Sequence, residues 1–322
     1  MKLIHQGKAK KVFEDPKSKK NIVIDFTDNV TAGDGKKKDT IKGKGKLSCD
    51  LSEFFFKYLG KKGIDTHLMK RLNETQLRCK KVEILPLEVV CRNIAAGSFC
   101  KRYGIEKGTQ LTSPLVEYFF KDDKLHDPLI SEDAAVRLGI ANESEMAFMK
   151  SVALSVNYFL SELFKQVELT LVDFKLEFGK ISSGTILLAD EISGDTIRVW
   201  NSEGQSYDKD LFRKGEGDIT TAYAFLLEKM KETKTRKVET RDESLYVSVM
   251  PKDGIKNPPG EVTKKALERL GFNNVTEVRM GKIFEIHISC PITSDLLNQL
   301  TLMNLKLLSN PIAEKHKVRM EM

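Results

Sequence analysis

The spacing of hydrophobic positions changes along the chain, and each change marks an element. Near the N-terminus, Lys11-Val12-Phe13 and Asn21-Ile22-Val23-Ile24-Asp25-Phe26 read as short strands, the second with the alternation of side chains that point to opposite faces. Residues 31–46 are rich in Gly and Lys and read as a loop. Between 47 and 62, Leu47, Leu51, Phe54, Phe55, Tyr58 and Leu59 fall at helical spacing, and the run ends near Gly60–Gly63. Residues 77–92 are apolar strand material. The clearest long helix is predicted over 142–169. Asn142 is its N-cap and Glu145 sits at the capping-box position, ahead of Met146, Met149, Val152, Val156, Phe159, Leu160 and Leu163. Then Val172, Phe174, Leu176 and Phe178 alternate with Asp173, Lys175 and Glu177. The turn Lys180-Ile181-Ser182-Ser183-Gly184 leads to Ile186-Leu187-Leu188-Ala189-Asp190-Glu191, so the two runs form a hairpin. A further helix runs from about Ile219 to Met230.

Beyond it the pattern breaks. Lys229 to Glu243 is almost wholly polar and reads as a linker, which places a domain boundary near 240, with one domain over 1–240 and a second over 241–322. The second domain starts with a strand at Leu245–Val249. A helix at Glu261–Leu270, strands at Val275–Val278 and Ile283–Ser289, a helix at Asp295–Leu308 and a strand at Val318–Met320 follow. That order, β-α-β-β-α-β, is the ferredoxin-like plan. The whole chain is therefore expected to be α+β.

Composition narrows the function. The chain has 322 residues, 40% hydrophobic and 31% charged, which suits two soluble globular domains. The formal net charge of +7 points to anionic partners, either nucleic acid or small phosphates. Five cysteines stand far apart without a CxxC pair, so neither a zinc site nor a disulfide framework is indicated and a cytoplasmic location with reduced thiols is expected. The N-terminus has no signal-like apolar stretch, and no apolar run is long enough for a membrane span. The lysine run between Asp34 and Lys46 contains no aromatic residue on which a base could stack, which argues against nucleic acid.

Four constellations carry candidate chemistry. The strand 171–179 sets acid, base, acid on one face. With Glu177 on one strand of the hairpin and Asp190 or Glu191 on the other, the carboxylates can form a cage for a hard cation, with a lysine beside it for phosphate. The same pattern also describes an exposed hairpin with ordinary ion pairs. Gly7-Lys8-Ala9-Lys10-Lys11 is either a basic tip that closes over a polyphosphate or a solvated turn. Leu85 to Asn93 delivers Arg92 into the small-residue turn Ile94-Ala95-Ala96-Gly97-Ser98, where Arg92 and Ser98 seat a phosphate or carboxylate, or Arg92 pairs with Glu88. His126-Asp127-Pro128 is a turn with a titratable imidazole.

Segments Ile84–Ser98 and Leu171–Gly179 together resemble the two diagnostic motifs of phosphoribosylaminoimidazole-succinocarboxamide synthase, SAICAR synthetase. Thr31-Ala32-Gly33-Asp34-Gly35, Lys121, His126-Asp127-Pro128, Ala189-Asp190-Glu191 and Asp208–Arg213 resemble its other motifs in the same order, over roughly residues 1–230. Asn201 departs from the acid expected after Trp200. The resemblance implies an ATP-grasp-like fold of antiparallel sheets and helices. It also implies a ligase of purine synthesis that joins L-aspartate to a phosphoribosyl-aminoimidazole carboxylate through an acyl phosphate, with ATP and Mg2+. It implies that Lys8, Lys10 and Lys121 hold the ATP phosphates, that Glu177 and Asp190 ligate magnesium, and that the backbone from Val82 to Ile84 receives adenine. Arg92, Ser98, Arg198 and Arg213 would bind the ribose phosphate or the carboxylates. Lys175, Asp173, Asp34 and Asp127 would line the reacting centre, with Lys175 stabilising the acyl phosphate. The alternative for this domain is a small-molecule kinase.

Leu245-Tyr246-Val247, Pro258-Pro259-Gly260, Ala266–Gly271, Val278–Lys282 and Leu307–Glu314 resemble the small PurS subunit of formylglycinamidine ribonucleotide (FGAM) synthase, over 244–322. Asn257-Pro258-Pro259 stands where that family has Asp-Pro-Gln. This resemblance implies a non-catalytic domain that makes homo-oligomers and joins the synthetase and glutaminase subunits of FGAM synthase. The alternative is a module for oligomerisation only.

Overall fold

The computed structural model describes residues 1–32, 37–215, 217–233, 243–288, 303, 307–310 and 313–320. The chain divides into two compact units, Met1–Thr235 and Arg236–Met322.

The first unit begins with three antiparallel strands, β1 (Leu3–Gln6), β2 (Lys10–Glu14) and β3 (Asn21–Phe26), as the alternation predicts for the last two. Next comes a finding the composition hid. Residues 31–46 are not simply a loop: β4 (Asn29–Ala32) and β5 (Lys37–Thr40) pair as a hairpin, and helix α1 (Lys44–Lys61) already starts inside the stretch. Two strands, β6 (Leu68–Arg71) and β7 (Gln76–Lys80), then complete a five-stranded sheet in the order β1-β2-β3-β7-β6.

A second sheet follows. It is built on β8 (Glu83–Ile94), helix α2 (Ser98–Tyr103), β9 (Gln110–Phe120), β10 (Leu129–Ile130), helix α3 (Glu132–Arg137) and helix α4 (Glu143–Lys165). The N-terminus of α4 is the capping box read from the sequence. Asn142 Oδ1 accepts from Glu145 N, and Glu145 Oε2 accepts from Asn142 N, both at 3.0 Å. The chain then enters β11 (Thr170–Lys180), turns into β12 (Ile186–Ala189), and returns as β13 (Ile197–Trp200). The sheet order is β10-β9-β8-β11-β12, with β13 also paired to β11. Helices α5 (Asp210–Lys214) and α6 (Ile219–Glu232) close the unit.

Helix α4 packs across β8, β9 and β11, and α1 packs against α6 and the five-stranded sheet. On the latter face Cys49 meets Ile24, Phe26, Leu77 and Cys79. The two sheets are stitched where residue 66 bridges Leu188. His67 N donates to Leu188 O at 2.9 Å, Leu188 N to Asp65 O at 3.0 Å, and Lys80 N to His67 O at 2.7 Å. The connection from β7 to β8 at residues 81–82 is therefore the second crossing between sheets.

In the second unit, β14 (Glu243–Pro251) lies between β15 (Lys282–Ile288) and β16 (Glu314–Met320), antiparallel to both, with helix α7 (Pro258–Arg269) between β14 and β15 in the chain. Residues 275–278 are not the expected strand. Just beyond it, Asn257 Nδ2 donates to Met280 O at 2.8 Å, Asn257 Oδ1 accepts from Gly260 N at 2.8 Å, and the Arg279 guanidinium holds Pro251 O at 2.6 Å. Asn257 thus caps α7 ahead of prolines at the first helical positions, where a missing N–H is harmless. The helix expected at 295–308 falls mostly outside the described residues.

Lys44 shows how the first unit fixes its site region. It is fully buried at the start of α1, between Gly43 (φ 87°) and Gly45, where a side chain would meet Phe26 O at 2.7 Å. Its ammonium donates to Asn29 O at 3.2 Å and pairs with Asp195, whose Oδ1 also accepts from Tyr223 Oη at 3.0 Å. One lysine thereby ties the β4–β5 hairpin and α6 to the loop after β12. Removing one partner of such a buried pair costs up to about 3–5 kcal/mol, although Lys209, 3.4 Å from Asp195 Oδ1, would still face the carboxylate. We expect Lys44→Met to lose stability of about that size in urea unfolding. A loss below about 1 kcal/mol, the range of an exposed pair, would show that the pair contributes little.

Candidate active site

Strand β11 organises the site. It is buried along nearly its whole length, so its acid-base-acid face is interior and the exposed-hairpin reading is overturned. In register, Asp173 stands opposite Arg92 and Glu177 opposite Glu88 on β8, while Glu177 also faces Ala189 on β12. Two like charges directly opposite destabilise a sheet. Lys175 resolves this by donating to Glu88 Oε1 at 2.6 Å and to Glu177 Oε1 at 3.1 Å. Arg92 does not pair with Glu88. Lys121, just past β9, makes a close ion pair with the other Glu177 oxygen.

Which of Asp190 and Glu191 turns inward was a question of strand parity, and the structure answers that both do. Alternation would send them to opposite faces. Strand β12 ends at Ala189, and Asp190 takes a left-handed backbone at φ 63°, so the two carboxylates converge on one ammonium. Lys10 Nζ lies 2.5 Å from Asp190 Oδ1 and 2.8 Å from Glu191 Oε1. Lys10 comes from β2 of the other sheet, so this cluster spans the two sheets.

The electrostatics follow from burial and partners. Burial opposes the charge on Glu177, but Lys175, Lys121 and Lys10 outweigh it and hold the carboxyl down at about 2. Asp190 goes the other way: burial and the neighbouring Glu177 raise it, against the pull of Lys10. Burial also opposes the charge on Lys10, and Asp190, Glu191 and Glu177 overcome it. His67, buried nearby, is kept neutral by burial and by Lys10, its pKa pushed down to about 3.

A second cluster joins most of the predicted anion-binding residues. Asp173 Oδ2 accepts from Arg92 Nη1 at 2.7 Å and from Arg198 Nη1 at 2.5 Å. Arg198 Nε donates to Asp210 Oδ2 at 2.7 Å, and Asp210 Oδ1 accepts from Arg213 Nη1 at 2.5 Å. Arg198 also packs on Gly97 (φ 59°): a side chain there would meet its Nη2 at 3.0 Å, immediately before exposed Ser98 at the start of α2. Sequence reasoning missed Glu117, Arg102 and Asp210 as residue-level members. Buried Glu117 accepts from Arg92 Nε at 2.7 Å and from Arg102 at 2.6 Å. An acid inside the apolar run Leu115–Phe120 was the available signal.

Lys8 and Asp127 line a cavity of about 950 Å³ together with His5, Gly7, Thr31 and His126 among others. Lys8 pairs with Asp123 at 3.0 Å, and Asp127 Oδ1 accepts from Asp122 N at 2.9 Å. Asp173 lies between two guanidiniums and Lys175 between two carboxylates. Val82 and Ile84 lie at the crossing between the sheets, where the Val82 side chain leaves no room for anything larger than Gly179 on β11. Asp34 lies outside the described residues.

A family model for SAICAR synthetase matches residues 3–230. The chain belongs to the SAICAR synthetase family. A model for PurS, described as phosphoribosylformylglycinamidine (FGAM) synthase, matches residues 244–322. The phosphoribosylaminoimidazole-succinocarboxamide synthase of Finegoldia magna is 47% identical over 232 residues, which cover 72% of this chain and 100% of the relative. A crystal structure of the Ehrlichia chaffeensis synthase is 39% identical with a TM-score of 0.70, covering 73% of this chain and 100% of that one. A SAICAR synthetase solved in complex with ADP is 42% identical with a TM-score of 0.69, again over 73% and 100%. The chain is thus a SAICAR synthetase, a ligase of purine biosynthesis, with a PurS-like C-terminal domain. Among the described residues of this SAICAR synthetase, no helix is long and apolar enough to cross a membrane.

The Glu177 environment makes a pH prediction. Its carboxyl lies at about 2 in the folded enzyme against an ordinary 4.5. A depressed acid contributes stability above its unfolded value and loses it as the pH falls through the folded one. The urea midpoint should therefore drop as pH falls from 4.5 towards 2. Glu177→Gln should flatten that limb, and an unchanged slope would assign the acid sensitivity to other carboxylates.

Proposed function

We propose that the first unit binds ATP in an ATP-grasp-like manner between its two sheets and uses it to activate a phosphoribosyl-aminoimidazole carboxylate for attack by L-aspartate. A carboxylate oxygen of the imidazole attacks the γ-phosphorus and ADP leaves. The aspartate amine then attacks the acyl carbon, phosphate leaves, and the nitrogen gives up a proton as the amide forms. Every reactant is an anion, so the demand on the protein is positioning and charge neutralisation, with no covalent protein nucleophile.

The observation that carries this reading is the charge cluster around β11. Four carboxylates, Glu88, Glu177, Asp190 and Glu191, are interleaved with three ammoniums, Lys10, Lys121 and Lys175, leaving the set one positive charge short. That shortage, and the burial and repulsion by Glu177 that raise Asp190, suit a divalent cation. Among the described residues no group of three or more His, Cys, Asp or Glu forms a metal cage. Two carboxylates suffice for magnesium, which keeps several waters and takes its remaining ligands from phosphates. Glu177 and Asp190 are therefore its holders in this reading. When bound, the ion would neutralise polyphosphate charge.

The protein's own groups take the other roles. Lys10 exchanges Asp190, and Lys121 exchanges Glu177, for ATP phosphates, and Lys8 closes from the cavity wall. The backbone from Val82 to Ile84 receives adenine at the crossing between the sheets. Arg92, Ser98, Arg198 and Arg213 hold the ribose phosphate and carboxylates, with Asp173 fixing two of the guanidiniums. Lys175 faces the acyl phosphate, and Asp34 and Asp127 complete the reacting centre. The second unit, from a boundary near residue 240, is a ferredoxin-like module that forms homo-oligomers and docks the synthetase and glutaminase subunits of FGAM synthase. The enzyme works in the cytoplasm.

A coupled ATP assay with the imidazole carboxylate tests the reaction. ADP release should require L-aspartate, and equal release without it would favour a kinase. Glu177→Gln should lower turnover by at least about 10²-fold while unfolding stays cooperative. Turnover like that of the unaltered enzyme would sink the metal assignment.

A further inference from the structure

Lys10 has one carboxylate more than neutrality needs. Asp190 and Glu191 both reach it, at 2.5 and 2.8 Å, only because the backbone at Asp190 is left-handed. The two acids are held differently. Glu191 Oε2 accepts from Ser193 Oγ at 2.6 Å, and Ser193 Oγ in turn accepts from Asp195 N at 3.2 Å. Ser193 is fully buried and Glu191 nearly so. Glu191 is therefore pinned by its own loop, with one oxygen left for Lys10.

We infer that Glu191, oriented by Ser193, is a positioning residue that keeps the Lys10 ammonium in place across the two sheets when Asp190 serves the metal. This rests on the reading that Lys10 contacts ATP phosphates. A lysine carries much rotamer freedom on a long stem, and a fixed counter-charge removes it before the nucleotide arrives. In this division of labour Asp190 exchanges partners and Glu191 does not.

The test uses the full chain and ADP with magnesium in titration calorimetry, alongside steady-state kinetics. Glu191→Gln should weaken ADP binding about tenfold and raise KM for ATP while leaving KM for L-aspartate unchanged. Ser193→Ala retains the Glu191 charge and tests orientation even where Glu191→Gln folds poorly; it should weaken ADP about threefold. The Lys10→Met/Glu191→Gln double variant should bind ADP no more weakly than Lys10→Met alone, as expected for residues acting as one unit. ADP binding unchanged or tighter in both Glu191→Gln and Ser193→Ala, or fully additive losses in the double variant, would overturn the inference. Lys10→Met with undiminished ADP affinity would instead overturn the placement of the phosphates on which it rests.

Discussion

Carboxylates buried side by side stay ionised only if cations stand among them, and that constraint governs the first unit. Taking an ion from water into the interior costs several kcal/mol, and only close, well-oriented partners offset it. Glu177 and Glu191 are almost fully enclosed and Asp190 is partly so, and their compensating ammoniums come from three separate places in the chain. Lys175 is local to β11, Lys121 follows β9, and Lys10 arrives from the other sheet. Neutralising the site therefore requires both sheets in register. Fold and site are one electrostatic arrangement, not a scaffold with chemistry added to it.

The arginine cluster obeys the same rule with different chemistry. Guanidiniums are planar, permanently charged and suited to forked contacts with carboxylates. Asp173 takes Arg92 and Arg198, Asp210 takes Arg198 and Arg213, and Glu117 takes Arg92 and Arg102. The most enclosed of these pairs hold the basic groups in fixed positions, while Arg213 remains well exposed. These guanidiniums are thus preformed donors, with little side-chain order left to impose on them.

Much of this was legible along the chain, and the parts that were not share a cause. Helix α4 with its capping box, the β11–β12 hairpin and helix α6 are local patterns, each carried by one continuous stretch of the chain. Lys44 is different. A glycine- and lysine-rich stretch looks solvated, but the partner that buries this lysine is 151 residues away. Asp190 is different again: alternation assumes extended backbone, and a left-handed residue at the strand end brings two consecutive acids to one point. Glu117, Arg102 and Asp210 look like ordinary surface charges until the sheet sets Glu117 beside Arg92, α2 brings Arg102 to Glu117 and α5 brings Asp210 to Arg198. In the second unit, 275–278 has strand-like composition, yet Asn257 and Arg279 take up the neighbouring backbone first.

The placement of the assigned residues also limits what the second unit can do. Each unit has its own buried centre: the first closes on α1, α4 and α6, while Val247 and Val249 of β14 are buried within the second. Every residue to which a ligand or chemical role is assigned lies between Lys8 and Arg213, inside the first unit. The PurS-like unit supplies no side chain to that set. In the proposed reading the ligase chemistry therefore draws its assigned side chains from the first unit.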